Sequence, residues 1–302
     1  MKKLRFLIAS PMYNHQIAGV MVLHELCDML NRQGHEAAIV LFGGSGPCFH
    51  WSYSNHPQLY HPQHQRINLS MDDPDQSVRS FLEHGVVIYP EMVLDNPLNA
   101  KRVVRYLLYK FHDYVAQGIN EYVLSFSKVF HDSPNSYLFK VSLDKELHAN
   151  GSRRWEDRTL DITYFGKGPN FTSCHLIPGT LALSRTWPED KAQLGTLLRQ
   201  CRYFFTWDSI SQTNIDAIAC GAVPVLLHDK QTTLEELGRG EFGAFPDLRL
   251  IDLNDKTSVF GDIDSINDCI YEMKKRIFYY EETWASRVQD FAISINNFYN
   301  VD

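Results

Sequence analysis

The chain has 302 residues, 44% of them hydrophobic and 22% charged, with a formal net charge of −7. That length accommodates two domains of ordinary size, each with its own core. The acidic balance excludes a basic field for nucleic acid, and no run approaches the length of a membrane span.

Read in chain order, Leu4–Ala9 is a strand of the buried type, followed by the turn PMYNHQIAG. A helix is expected from Val20 to Arg32, with Leu23, Leu26, Cys27 and Leu30 on one face and Gly34 closing it. Ala37–Phe42 is the next strand, so the segment is a β-α-β unit of the kind that builds parallel sheets. The first loop has Gly19 but no G-x-G-x-x-G, which argues against a dinucleotide enzyme. Residues 43–70 lack periodicity and carry His50, His56, His61 and His64 at irregular spacing without nearby acids. This points to a surface excursion or flap, not a metal centre.

Val86–Tyr89 is another buried strand, ending at Pro90-Glu91. A helix is expected after Asp95-Asn96-Pro97, with Val103, Val104, Leu107 and Leu108 inward and Arg102 and Arg105 outward. Tyr122–Ser127 reads as the last strand of the first domain, and Tyr137–Val141 as the first of the second. Ile162–Phe165 is a strand running into Gly166-Lys167-Gly168-Pro169, where glycines let backbone and lysine approach an anionic ligand. Thr180–Ser184 is a short strand. Thr186 with Glu189 forms a capping-box pattern for a helix to Gln200, with Arg185 at the junction. Leu248–Leu253 is a later strand. From Ser265 one long helical pattern runs to the end, and Phe278, Tyr279 and Tyr280 are expected to dock on both domains.

The densest chemistry lies in Arg202–Asp229, RYFFTWDSISQTNIDAIACGAVPVLLHD. Tyr203–Thr206 is a strand, and Ser209 with Gln212 forms a capping box. Ile215, Ile218 and Ala219 follow at helical spacing, Gly221 stops the helix, and Val223–Leu227 is an apolar strand of the parallel-sheet type. A helix N-terminus at the carboxyl edge of a parallel strand is a seat for phosphate, with amides from Ser209, Ile210 and Ser211. Asp208 stands where a carboxylate can accept from sugar hydroxyls, and Asp216, two turns into the helix, is within reach of a ribose diol. Each also has a plain reading, as a turn residue and a solvated helix carboxylate.

The segment Asp208–Val225 resembles the donor-binding segment of GT-B glycosyltransferases, in which two acids separated by seven residues precede an Ala-x-Ala-Cys-Gly-x-Pro-Val run. This chain has Asp at both positions where Glu is usual. YPEMVLDNPLNAKRVVRYLL likewise resembles a segment of a bacterial subgroup of these enzymes. The resemblance implies an α/β fold of two Rossmann-like parallel-sheet domains facing a cleft, with a C-terminal helix crossing back to the first domain. The expected boundaries are 1–132 for an acceptor domain, 133–275 for a donor domain and 276–302 for the returning helix. It implies a sugar contact for Asp208 and a ribose contact for Asp216. Lys167 and Arg185 become candidate diphosphate contacts, and His15, Gly19 and Glu91 become candidates in the first domain, with Glu91, Asp95 or His15 as a base in an inverting reaction.

The implied activity is metal-independent transfer from a nucleoside-diphosphate sugar, by retention, to a glycan, lipid-linked or other acceptor in bacterial surface polysaccharide or glycoconjugate synthesis. A GT-B-shaped nucleotide-sugar epimerase and a non-catalytic sugar-nucleotide binder are the alternatives. No cofactor, metal or nucleic-acid partner is expected. The six cysteines, Cys27, Cys48, Cys174, Cys201, Cys220 and Cys269, have no metal-type spacing and suit a reducing compartment. The start MKKLRFLIASP is too short in its apolar part for a signal peptide. A cytoplasmic location is expected, with contact at the inner membrane surface left open.

Overall fold

The computed structural model describes residues 2–44, 50–70, 72–110, 120–132, 134–143, 147, 154–166, 176–208, 210–227, 240–241 and 263–300. The chain divides into two compact units, Met1–Ser142 with Thr283–Asp302, and Leu143–Glu282. The expected strand Leu248–Leu253 lies outside the described residues.

Unit 1 is a seven-stranded sheet in the order β3-β2-β1-β4-β5-β6-β7. Its strands are β1 (Arg5–Ser10), β2 (Glu36–Gly43), β3 (His50–Ser52), β4 (Val86–Pro90), β5 (Val103–Leu107), β6 (Glu121–Ser125) and β7 (Ser136–Tyr137). All neighbours are parallel except β2 and β3. The side-chain period of two sorts β1 into two cores. Phe6 and Ile8 face one with α1 (Ala18–Arg32) and α6 (Trp284–Tyr299), while Leu7 and Ala9 face the other with Val78 and Phe81 of α2 (Pro74–His84).

Several expectations change here. The residues 43–70 contain an antiparallel edge strand, β3, and a short 3₁₀ turn at Pro57–Leu59. Ser136–Tyr137 is the seventh strand of this sheet and not the first of the next. The run at Val103–Leu107 is a fully buried strand, not a helix. Arg105 is buried with it, because the guanidinium has a complete set of partners. It pairs with the Glu121 carboxylate, donates to the carbonyls of Val93 and Asp95 (the latter at 2.6 Å), and lies 5.2 Å over the Tyr89 ring.

The loop after β1 is pinned by aromatic contacts. Tyr13 donates its amide to Leu59 O at 2.9 Å, and its ring meets His24 at 5.2 Å and His61 at 4.9 Å between centroids. His61 stacks on His64 at 3.7 Å. At the other end of the sheet the Tyr299 hydroxyl reaches the amides of Val103 and Tyr122, each at 3.2 Å, and so fixes α6 against β5 and β6.

Unit 2 has an all-parallel sheet in the order β11-β10-β8-β9, with β8 (Leu160–Tyr164), β9 (Leu181–Leu183), β10 (Cys201–Thr206) and β11 (Val223–Leu226). Among the described residues its α-helices are α3 (Lys191–Gln200), α4 (Gln212–Ala219) and α5 (Ile263–Glu282). The Thr186–Glu189 box does not start α3. Asp190 caps it instead, accepting from Ala192 N at 3.0 Å, while Ser184 N bonds Trp187 O in a turn. Buried Arg158 donates to Cys201 O at 2.9 Å and Cys220 O at 2.8 Å, so one cation serves the carbonyl ends of both α3 and α4. The long C-terminal pattern is two helices broken at Thr283, and Phe278 and Tyr279 are exposed on α5 instead of docked. Cys27, Cys201 and Cys220 are free and buried, and burial pushes the Cys220 thiol up to about 12.

Two outcomes follow from unit 1. Removing one member of a buried ion pair strands the other, so Arg105→Met should cost about 3–5 kcal/mol in urea unfolding, and Arg105→Met/Glu121→Leu should recover part of it. Burial also holds His24 and His64 near 4, and lowers His61 and His35. Below the ordinary value of 6.5 the unfolded chain then binds more protons than the folded one, so stability falls as pH drops from 6.5 towards 4. The urea midpoint of a His24→Phe/His64→Phe variant should fall less steeply over that window; an identical slope would exonerate these imidazoles.

Candidate functional site

Strand order locates the site before any side chain does. In unit 2 the chain passes from β8 to β9 on one side and then crosses to β10 on the other. Ligands of open parallel sheets bind outside the carboxyl ends of the strands at such a switch point. Gly166 follows β8 and Asp208 follows β10, so both stand at this switch.

They are in direct contact. Gly166 has φ +53°, and a Cβ on it would lie 2.3 Å from Asp208 Cβ and 2.5 Å from Oδ2. Only glycine leaves room for the aspartate there. The Asp208 backbone is clamped as well. Its N–H donates to Thr206 Oγ1 at 3.1 Å, and its carbonyl accepts from the Thr206 hydroxyl at 3.1 Å and from Asn214 Nδ2 at 2.7 Å. Asp208 is 4% exposed.

Helix α4 begins beside it. The cap is Ser211 and not Ser209: Ser211 Oγ accepts from Thr213 N at 3.2 Å and shares a 3.2 Å hydrogen bond with Tyr164 OH from the end of β8. Ile210 is half-buried in the turn before the cap. Asp216 is buried on α4 and accepts from Gln212 Nε2 at 3.2 Å. Gly221, at φ +85°, follows the C-cap residue Cys220 as expected. Arg185 is exposed and near enough to Tyr164 to act on its phenol electrostatically. Lys167 and Ser209 lie outside the described residues.

In unit 1 the corresponding switch is between β1 and β4. His15 is exposed in the turn after β1, and Gly19 lies in the first turn of α1. Glu91 follows β4 and accepts from Leu108 N at 2.8 Å. A Cβ on Gly19 would meet Leu108 at an ordinary 3.6 Å, so Leu108 brings Gly19 and Glu91 into one neighbourhood without demanding glycine. Thr206, Tyr164, Asn214 and Gly166 were not singled out as a set from sequence. Their roles depend on β8 lying next to β10, and a local pattern carries no such signal. Among the described residues no group of three or more His, Cys, Asp or Glu side chains could hold a metal ion. No described helix is long and apolar enough to cross a membrane.

Solved structures share this arrangement across nearly the whole chain. An α-glucosyltransferase in complex with UDP-glucose and DNA containing an abasic site is similar over 97% of this chain and 100% of its own, at 13% identity and a TM-score of 0.50. A glycosyltransferase from Rickettsia africae is similar over 100% of both chains at 10% identity and 0.52, and sucrose-phosphate synthase from Thermosynechococcus elongatus over 99% and 100% at 8% and 0.52. The fold is that of the GT-B glycosyltransferases. No family model and no curated protein matches the sequence. In this GT-B chain, then, the likeness lies in the path of the backbone, and the site rests on its own geometry.

That geometry has a direct consequence. Gly166→Ala places a methyl inside the contact distance of Asp208 and strains a left-handed backbone. It should reduce nucleotide-sugar affinity at least tenfold while the near-ultraviolet signal of the folded chain persists. Wild-type affinity in the alanine variant would show that the Gly166–Asp208 contact is not part of a site.

Proposed function

We propose that this chain is a glycosyltransferase that takes its sugar from a nucleoside-diphosphate donor held by unit 2. The observation that carries this reading is the placement of Asp208 over Gly166 at the β8/β10 switch, beside the positive end of α4, with Asp216 farther along the same helix. Carboxylates accept from sugar hydroxyls and helix N-termini hold phosphate, so one short segment offers both halves of a sugar-nucleotide site. The neighbours with UDP or UDP-glucose bound support the donor class.

Asp208 would orient the sugar and Asp216 the ribose. Charge on the departing diphosphate would be met by the α4 N-terminus, with Lys167 and Arg185 as the local cations. The paired acids favour retention, with the leaving phosphate taking the acceptor proton, and no metal is required by that scheme. Unit 1 would bind the acceptor, with His15, Gly19 and Glu91 beyond the carboxyl ends of β1 and β4. A glycan or lipid-linked acceptor in bacterial surface polysaccharide synthesis, handled in the cytoplasm or at the inner membrane surface, suits a chain of net charge −7 better than the DNA bound to one structural neighbour.

Turnover is the test: nucleoside diphosphate should be released from a nucleotide sugar only when acceptor is present. Asp216→Ala should weaken nucleotide binding about tenfold or more, since hydrogen bonds to charged groups contribute about 1.5–3 kcal/mol, with little change in Tm. Unaltered affinity by calorimetry would remove Asp216 from the site, and an isomerised donor without transfer would make the protein an epimerase.

A further inference from the structure

We propose that Tyr164 and Asn214 are positioning residues that set, respectively, the phosphate-facing hydroxyl of Ser211 and the sugar-facing carboxylate of Asp208. The inference rests on the donor-site reading of unit 2 and adds to it two residues outside the paired-acid pattern.

Tyr164 ends β8 and is 4% exposed, its ring stacked on Phe204 at 5.6 Å. Its hydroxyl is 3.2 Å from Ser211 Oγ. Ser211 Oγ already accepts from Thr213 N. When the phenol donates as well, both lone pairs of Ser211 are occupied, and its own proton is left to point away as a donor. An outward hydroxyl proton at the start of α4 complements a phosphate oxygen, which has only acceptors. Burial raises the Tyr164 phenol above its ordinary value.

Asn214 stands in the first turn of α4 and is 3% exposed. Its Nδ2 donates to Asp208 O at 2.7 Å, while its amide N bonds Ser211 O at 3.1 Å. The side chain therefore ties the start of the helix to the residue that ends the strand connection. Among the described residues its Oδ1 is buried without a hydrogen-bond partner. The unpaired carbonyl offsets part of what the bond to Asp208 O contributes, so the clearest effect of the side chain is on where the Asp208 backbone stands. Asparagine there is explained by the geometry it imposes on Asp208.

The two residues act on different parts of a donor, and that separates them experimentally. With UDP and UDP-glucose as probes, Tyr164→Phe should weaken both about fivefold to tenfold, because the lost hydrogen bond orients the phosphate contact. Asn214→Leu should leave UDP affinity within twofold and weaken UDP-glucose at least fivefold, because only the sugar meets Asp208. Tm should stay within a few degrees of the wild type for both variants, because Thr206 still donates to Asp208 O when Asn214 is replaced. If both variants bind both probes as the wild type does, or lose Tm without loss of affinity in the folded protein, the residues are structural and the inference fails. If the wild type itself binds neither probe in calorimetry or thermal-shift assays, the donor-site reading for these nucleotides fails first, and the inference with it.

Discussion

The second unit depends on a space too small for a methyl group. Gly166 and Asp208 lie at the carboxyl ends of neighbouring strands, β8 and β10, and approach so closely that any Cβ on the first would overlap the second. The approach arises from topology. After β9 the chain crosses back over β8 to lay down β10, and the two connections diverge from the shared edge. A parallel sheet opens a crevice at that divergence. Filling its floor with a glycine lets a carboxylate sit low in the crevice, where Thr206 and Asn214 lock its backbone. The acid is thus positioned by main-chain geometry.

Unit 1 solves a different problem, that of burying a polar residue within a central strand. Arg105 sits in β5 with every residue of that strand buried. Its carboxylate partner comes from β6 and its carbonyl partners from the loop after β4, so one side chain couples two strands and a loop. A guanidinium can serve three directions at once because its donors form a planar fork. Tyr299 likewise joins two strands, its hydroxyl accepting from Val103 N of β5 and Tyr122 N of β6. The C-terminal segment is therefore part of unit 1 through both its apolar face and its polar end.

What could be read from the chain follows from how local each signal is. The β-α-β opening, the strand Tyr203–Thr206, the helix behind it and the left-handed Gly221 were legible because each is encoded within about ten consecutive residues. Val103, Val104, Leu107 and Leu108 fit a helical stripe as well as a buried strand; what decides between them is that Arg105 finds Glu121, sixteen residues on. The two capping boxes matched a pattern that other residues also satisfied. Asp190 and Ser211 stood close by and took the caps, moving both helix starts. The break at Thr283 has no glycine or proline to announce it. At the candidate site, the spacing of Asp208 and Asp216 and the glycine run at Gly166 are visible in the sequence, but the contact of Gly166 with Asp208 and the ties made by Tyr164 and Asn214 follow only once β8 is known to border β10.

These observations bear on how an acidic chain would hold an anionic donor. With a net charge of −7 the protein's overall field repels such a ligand, and two buried aspartates beside the proposed seat add to the local negative charge. Binding must then come from short-range groups that outweigh that field over a few ångströms: the α4 dipole, amides and hydroxyl protons aimed by their neighbours. Oriented neutral donors of this kind are effective only if they are already aimed, because a mobile hydroxyl would turn to the nearest carboxylate instead. In the proposed reading the ties from Tyr164 to Ser211 and from Asn214 to Asp208 would meet that condition, the first by engaging the Ser211 hydroxyl and the second by holding the Asp208 backbone. Preorganisation at this point of the fold is, in that reading, what would let carboxylates for a sugar and donors for a diphosphate share one short segment.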